Sequence, residues 1–118
     1  MDLPISQAVV CHDTLHTGGV SPVVDNEAPG GFGQQVRTAF EKLHGIVRSQ
    51  GFEFKDLILM TVYVKDMSYY DELNSVYGEL VSPPHPARKV VTTDFADARV
   101  LVEMTAIAKR GVKRYLRE

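Results

Sequence analysis

Residues 99–109, RVLVEMTAIAK, restrict this chain more than any other stretch. The even positions Val100, Val102, Met104, Ala106 and Ala108 are all apolar, which is the period of a β-strand that buries one face. The odd positions, Arg99, Leu101, Glu103, Thr105, Ile107 and Lys109, are mixed. Leu101 and Ile107 want cover on this second face, and a glutamate stands between them. Residues 57–65 divide in the same way, with Ile58, Met60, Val62 and Val64 set against Leu59, Thr61, Tyr63 and Lys65. The chain is therefore expected to build a sheet with one dry face and a second face that is half apolar.

The cover for the first face is visible upstream. Between Gly31 and Gln50, the residues Phe32, Val36, Ala39, Phe40, Leu43, Ile46 and Val47 recur at three- and four-residue steps, and Gly51 is placed to end the helix they define. A second helix follows residue 65. Asp66 or Ser68 can cap it, Tyr69, Leu73, Val76, Tyr77 and Leu80 mark its buried side, and SPPHP ends it. ISQAVVC and TLHTGGV read as a hairpin turning at His12-Asp13, SPVVDNEAPGG as a loop, and residues 88–92 as a further strand. The order β-β-α-β-α-β-β requires a mixed sheet and describes an α+β or α/β two-layer sandwich. Two helices cover only one side of that sheet, so a partner subunit is expected on the other, with Glu103 in or beside the interface.

Length and charge narrow the function. At 118 residues and 44% apolar content the chain is one domain, here residues 1–110, with a short basic tail at 111–118. A net charge of −2 gives no field for nucleic acid. One cysteine fits a reducing compartment, and the N-terminus has neither a basic stretch nor a long apolar run. No segment reaches the length of a membrane span. A cytoplasmic globular domain without membrane or nucleic-acid partners is expected.

The candidate chemistry is sparse. Arg88 follows the proline-rich SPPHP, and Glu103 comes fifteen residues later. An arginine offers a planar fork for a carboxylate, and a glutamate in an apolar strand needs a partner or a task. The structural alternatives are an ion pair at a subunit contact for Arg88, and burial against Arg88 or a lysine for Glu103. Asn74 suits a hydrogen bond that fixes a loop. Cys11 reads as a small core residue, and His44 as a surface residue on the first helix. His12 and His16 lie too far apart along strands to share a metal. GGFGQQ lacks the lysine and spacing of a phosphate loop.

The pieces SQAV, DTLHTGG followed by SP, NSVYGEL, PPHPARKVV and VEMTAIA occur in the order and spacing that characterise one family. By them the chain resembles the RidA (YjgF) family of enamine and imine deaminases almost end to end. The resemblance implies a chorismate-mutase-like α+β sandwich with two helices on one face of a mixed sheet. It also implies a homotrimer with ligand sites between subunits, and hydrolysis of a small 2-imino acid to the 2-keto acid and ammonia without metal or cofactor. Carried over residue by residue, Arg88 would bind the substrate carboxylate and Glu103 would hold the attacking water. Asn74 matches the family's asparagine. The family usually has a tyrosine where this chain has Ile5, a serine where it has Gly18, and often a cysteine where it has Val90. These departures imply a more apolar or roomier pocket, or a non-catalytic member that binds a small carboxylate or a partner protein.

Overall fold

In the computed structural model, which describes residues 3–112, 115 and 116, the apolar stripe of the first helix decides how the layers meet. The helix α1 spans Phe32–Ser49 and buries Phe32, Val36, Ala39, Phe40, Leu43 and Val47. Gly51, with φ +79, takes the left-handed position beyond its end, where a side chain would be strained. The strand β5 (Val102–Lys109) lies beneath α1 and turns Val102, Met104, Ala106 and Ala108 toward it. The two alanines leave room for the helix to approach, while Leu43 and Met104 fill the space between at full burial.

Five strands form one sheet, with β1 (Ala8–Cys11), β2 (Thr14–Thr17), β3 (Leu57–Val64) and β4 (Ala87–Thr92) arranged around β5 in the order β1-β2-β5-β3-β4. β3 and β4 are parallel and the other pairs antiparallel, which makes the sheet mixed. The parallel step needs a crossover, supplied by α2 (Tyr70–Leu80). Asp66 accepts a hydrogen bond from the Ser68 amide at 2.7 Å and starts the 3-10 turn Met67–Tyr69 that leads into α2. Leu73, Val76 and Tyr77 are its buried residues, and Phe32 stacks flat on Tyr69 at 4.4 Å, tying the starts of the two helices together. α1 lacks a side-chain cap of its own; Glu72 of α2 accepts from the Gly33 amide at 3.1 Å in its place. The Pro83–Pro84 bond is cis, in the loop that leads to β4.

Three expectations change. The last strand begins at Val102, not Arg99. Asp97 receives the Arg99 amide and its guanidinium, which folds Arg99 back into a turn. The neighbouring backbone is taken by a side chain: Gln35, 1% exposed, donates to the Arg99 carbonyl at 2.9 Å and accepts from the Leu101 amide at 2.8 Å. Second, the β3–β5 register shifts between Leu57 and Leu59, so that Leu57 is buried in the core and Ile58 is the extra, half-buried residue. Third, Cys11 is exposed, because it belongs to an edge strand and faces the side of the sheet opposite α1 and α2. The tail at 111–118 falls partly outside the described residues, as do Met1 and Asp2; Tyr115 donates its hydroxyl to the Lys55 carbonyl at 2.5 Å.

Gln35 also donates to the Pro29 carbonyl at 3.1 Å, so one amide joins α1, the loop before it and the entry to β5. Gln35→Ala leaves the Arg99 carbonyl and Leu101 amide without these partners. A loss of about 2–4 kcal/mol in denaturant unfolding at fixed protein concentration is expected. A loss under about 0.5 kcal/mol would mean that water replaces the amide fully.

Candidate functional site

Arg88 enters β4 beside Met60 of β3, and so shares the side of the sheet that carries the helices. α2 crosses this edge and presents three groups to the guanidinium. Asn74 accepts from Arg88 Nη2 at 2.7 Å, the Tyr77 ring lies 4.8 Å from the guanidinium carbon, and the Tyr70 ring 5.9 Å. An aromatic face attracts a cation without neutralising it. Among the described residues no carboxylate lies within ion-pair reach of Arg88. The fork is thus oriented by neutral groups and keeps its charge. Tyr77 is buried and donates its hydroxyl to the Met60 sulfur at 3.5 Å. Burial raises its pKa, and the Arg88 charge partly offsets that rise.

Glu103 belongs to the other side. It sits opposite Tyr63 on the uncovered face of β5, between Leu101 and Thr105 and on the same face as Ile107. The chain passes over it after β2. Gly18 donates to the Gln7 carbonyl at 2.9 Å, and Val20 exchanges two backbone hydrogen bonds with Met104, at 2.8 and 3.1 Å. Gly19, between them, lies directly against the Glu103 carboxylate. The Lys42 ammonium holds the next residues through the Ser21 and Val23 carbonyls, at 2.8 and 2.7 Å. Half-burial raises the Glu103 pKa, and the Lys42 charge pulls it back only in part. Lys42 itself is lowered by burial, against the opposing pull of Glu103.

The subunit therefore divides the residues singled out in the sequence. Arg88 and Asn74 form one group, at the β4 edge on the helix side. Gly18 lies beside Gly19, next to Glu103, on the uncovered side. Ile5 is 72% exposed and precedes β1, at the sheet edge farthest from Arg88. Two strand spacings, about 10 Å, and the thickness of the sheet separate Arg88 from Glu103. Asn74 fixes the arginine itself, not a loop. Glu103 is not paired with Arg88; its charged neighbour is Lys42. The tyrosine seat and the Gly19 contact were missed by sequence reasoning. Tyr77 carried a signal, since it stands three residues after Asn74, one helical turn away. Gly19 carried none, because its partner lies on another strand. Among the described residues no cluster of His, Cys, Asp and Glu is arranged to hold a metal, and no helix is long and apolar enough to cross a membrane.

The five-stranded, two-helix sandwich is that of a known group of small proteins. Residues 3–110 match the family described as Endoribonuclease L-PSP. A RutC family protein of Sulfurisphaera tokodaii is 30% identical over 111 residues, covering 92% of this chain and 89% of its own. The 2-iminobutanoate/2-iminopropanoate deaminase of Bos taurus is 27% identical, covering 92% of this chain and 81% of the relative. The crystal structure of E. coli TdcF with bound serine superposes with a TM-score of 0.84 at 29% identity, covering 94% of this chain and 91% of that one. The chain belongs to this family, the RidA/YjgF family, and has its chorismate-mutase-like fold.

Two outcomes follow from the electrostatics. Asn74→Ala removes one anchor of the fork but leaves the ring seat, so a more mobile Arg88 guanidinium with an unchanged melting temperature is expected, read by side-chain NMR relaxation and thermal unfolding. For Glu103 the folded-state pKa lies above the unfolded value, so the native state binds the proton more tightly. Stability from this group is full below the unfolded pKa and falls as pH rises through the folded one. Glu103→Gln should therefore melt at or above the wild-type temperature at pH 7, with the difference shrinking toward pH 4. A lower melting temperature at pH 7 would identify the carboxylate as a structural partner.

Proposed function

We propose that this protein is a cofactor-independent imine deaminase. It hydrolyses a small 2-imino acid to the 2-keto acid and ammonia, in a cleft between two copies of the chain within a homotrimer. The observation that carries the proposal is an arginine fork seated on neutral groups, its charge left for a ligand anion. The activity of the bovine relative and the serine bound to E. coli TdcF support a small carboxylate as that ligand.

The geometry of the single subunit supports the assembly. A single small molecule does not span from Arg88 to Glu103 of one subunit, since they occupy opposite sides of the sheet. It reaches both when the β4 edge of one copy meets the open face of another. That face carries Leu59, Tyr63, Leu101 and Ile107, half-buried in the single chain and suited to cover by a second copy.

In the reaction Arg88 holds the substrate carboxylate bidentately and so places the adjacent C=N carbon. Glu103, as the carboxylate, positions a water and takes its proton as the oxygen bonds to that carbon. Glu103 passes that proton to the nitrogen as the tetrahedral carbinolamine forms. The hydroxyl proton then follows by the same route as the C=O bond forms and the C–N bond breaks, so ammonia leaves with both water protons and Glu103 is again a carboxylate. Imines hydrolyse unaided in water, so an acceleration of about 10²–10⁴-fold, the usual range of a positioned general base, is sufficient. Ile5 and Gly18 remove two polar groups from the family's pocket, which favours substrates with a larger apolar side chain.

The test is to generate 2-aminoacrylate with a dehydratase and to follow keto-acid formation. Wild type should accelerate it, and Arg88→Ala should abolish the acceleration with the melting temperature unchanged. Arg88→Lys keeps the charge but loses the fork, and should bind and turn over poorly. Glu103→Gln should lower kcat with little change in KM, and the acid limb of the wild-type pH profile should lie above the ordinary glutamate range. Sedimentation should give a trimer at micromolar concentration. A stable monomer removes the shared cleft, and carboxylate binding without turnover makes the protein a non-catalytic binder.

A further inference from the structure

We infer that Gly19 is a positioning residue for Glu103: its missing side chain is the space in which the glutamate carboxylate lies. The inference rests on the reading of Glu103 as the base and adds a residue that acts through it.

A Cβ placed on Gly19 would overlap Glu103 Oε1 and come within 2.8 Å of Cδ. One of the two must yield, and the backbone of Gly19 is poorly able to. Gly18 on one side is hydrogen bonded to Gln7, Val20 on the other is bonded twice to Met104, and Lys42 anchors the carbonyls of Ser21 and Val23 just beyond. Met104 is the residue after Glu103, so the strap is bonded to the very strand that carries the carboxylate. The glutamate, in contrast, has rotatable bonds and is only half-buried. The carboxylate moves and the fold stays.

Glycine is not needed here for its backbone. Gly19 does not occupy the left-handed region, unlike Gly51 and Gly111, so alanine fits the chain conformation. The requirement is for empty space alone. Gly18 differs: a Cβ there would meet the Ser6 carbonyl at 3.4 Å and would not touch Glu103. The two adjacent glycines therefore have separate consequences.

The experiment is a double-mutant cycle of wild type, Gly19→Ala, Glu103→Ala and the double variant, with Gly18→Ala as a control for the Glu103 titration alone. Gly19→Ala should lower kcat about 10–100-fold, the scale of a roughly 1 Å misplacement, with little change in melting temperature. In the Glu103→Ala background the same methyl enters vacated space and should cost nothing further. Glu103 should titrate closer to the ordinary glutamate value in Gly19→Ala, read by carboxyl-carbon NMR, and Gly18→Ala should leave that titration unchanged. Equal losses in both backgrounds, or an unmoved Glu103 titration in Gly19→Ala, overturn the inference. If wild type hydrolyses no imine, the proposed function fails, while the titration of Glu103 still decides the role of Gly19.

Discussion

Two different environments meet at β5. Above it lies α1, and against that helix Val102, Met104, Ala106 and Ala108 are dry. Below it, among the described residues, no helix or strand lies across the strand and only the segment around Gly19 touches it, so Leu101, Glu103, Thr105 and Ile107 are half-buried. On either side it is hydrogen bonded, to β2 and Val20 along one edge and to β3 along the other. A one-residue slip would exchange the two faces and place Glu103 beneath the helix, where an unpaired carboxylate costs several kcal/mol. The register of this strand thus protects the core and presents the carboxylate in one step.

How much of this was legible depended on how local each signal was. The helix stripe, the stop at Gly51 and the cap at Asp66 involve residues within a turn or two of each other, and all three were readable. The alternation of residues 102–109 was equally plain. The early end of the strand at Val102 was not, because Gln35, 66 residues before Leu101, holds the backbone there. A polar residue on a helix stripe gives no sign of which distant carbonyl it will reach. The extra residue at Ile58 was hidden for a different reason: Leu57, Ile58 and Leu59 are all apolar, so a shift of register leaves no mark in the pattern. For the site, family resemblance pointed to Arg88 and Glu103. The tyrosine beneath the arginine and the empty space beside the glutamate are visible only when separate elements are brought together.

The two charges are also treated in opposite ways. Arg88 keeps contacts that leave its charge in place, one amide oxygen and two aromatic faces, at the border of the helix layer. Glu103 is partly withdrawn from water, and a lysine offsets only some of that cost. Neither arrangement maximises the stability of a lone subunit. A structural pair would bring opposite charges into contact, whereas here the sheet stands between them.

Glu72 ties the arginine seat to the rest of the helix layer. It lies on α2 close to Asn74 and Tyr77, and it reaches across to the Gly33 amide, a donor that α1 cannot satisfy by itself. When α2 lifts from the sheet, that amide loses its acceptor at the same moment that Arg88 loses its seat. The exchange of a single backbone hydrogen with solvent deuterium, at Gly33, therefore reports how often the Glu72 tie between the two helices opens, and it needs no ligand.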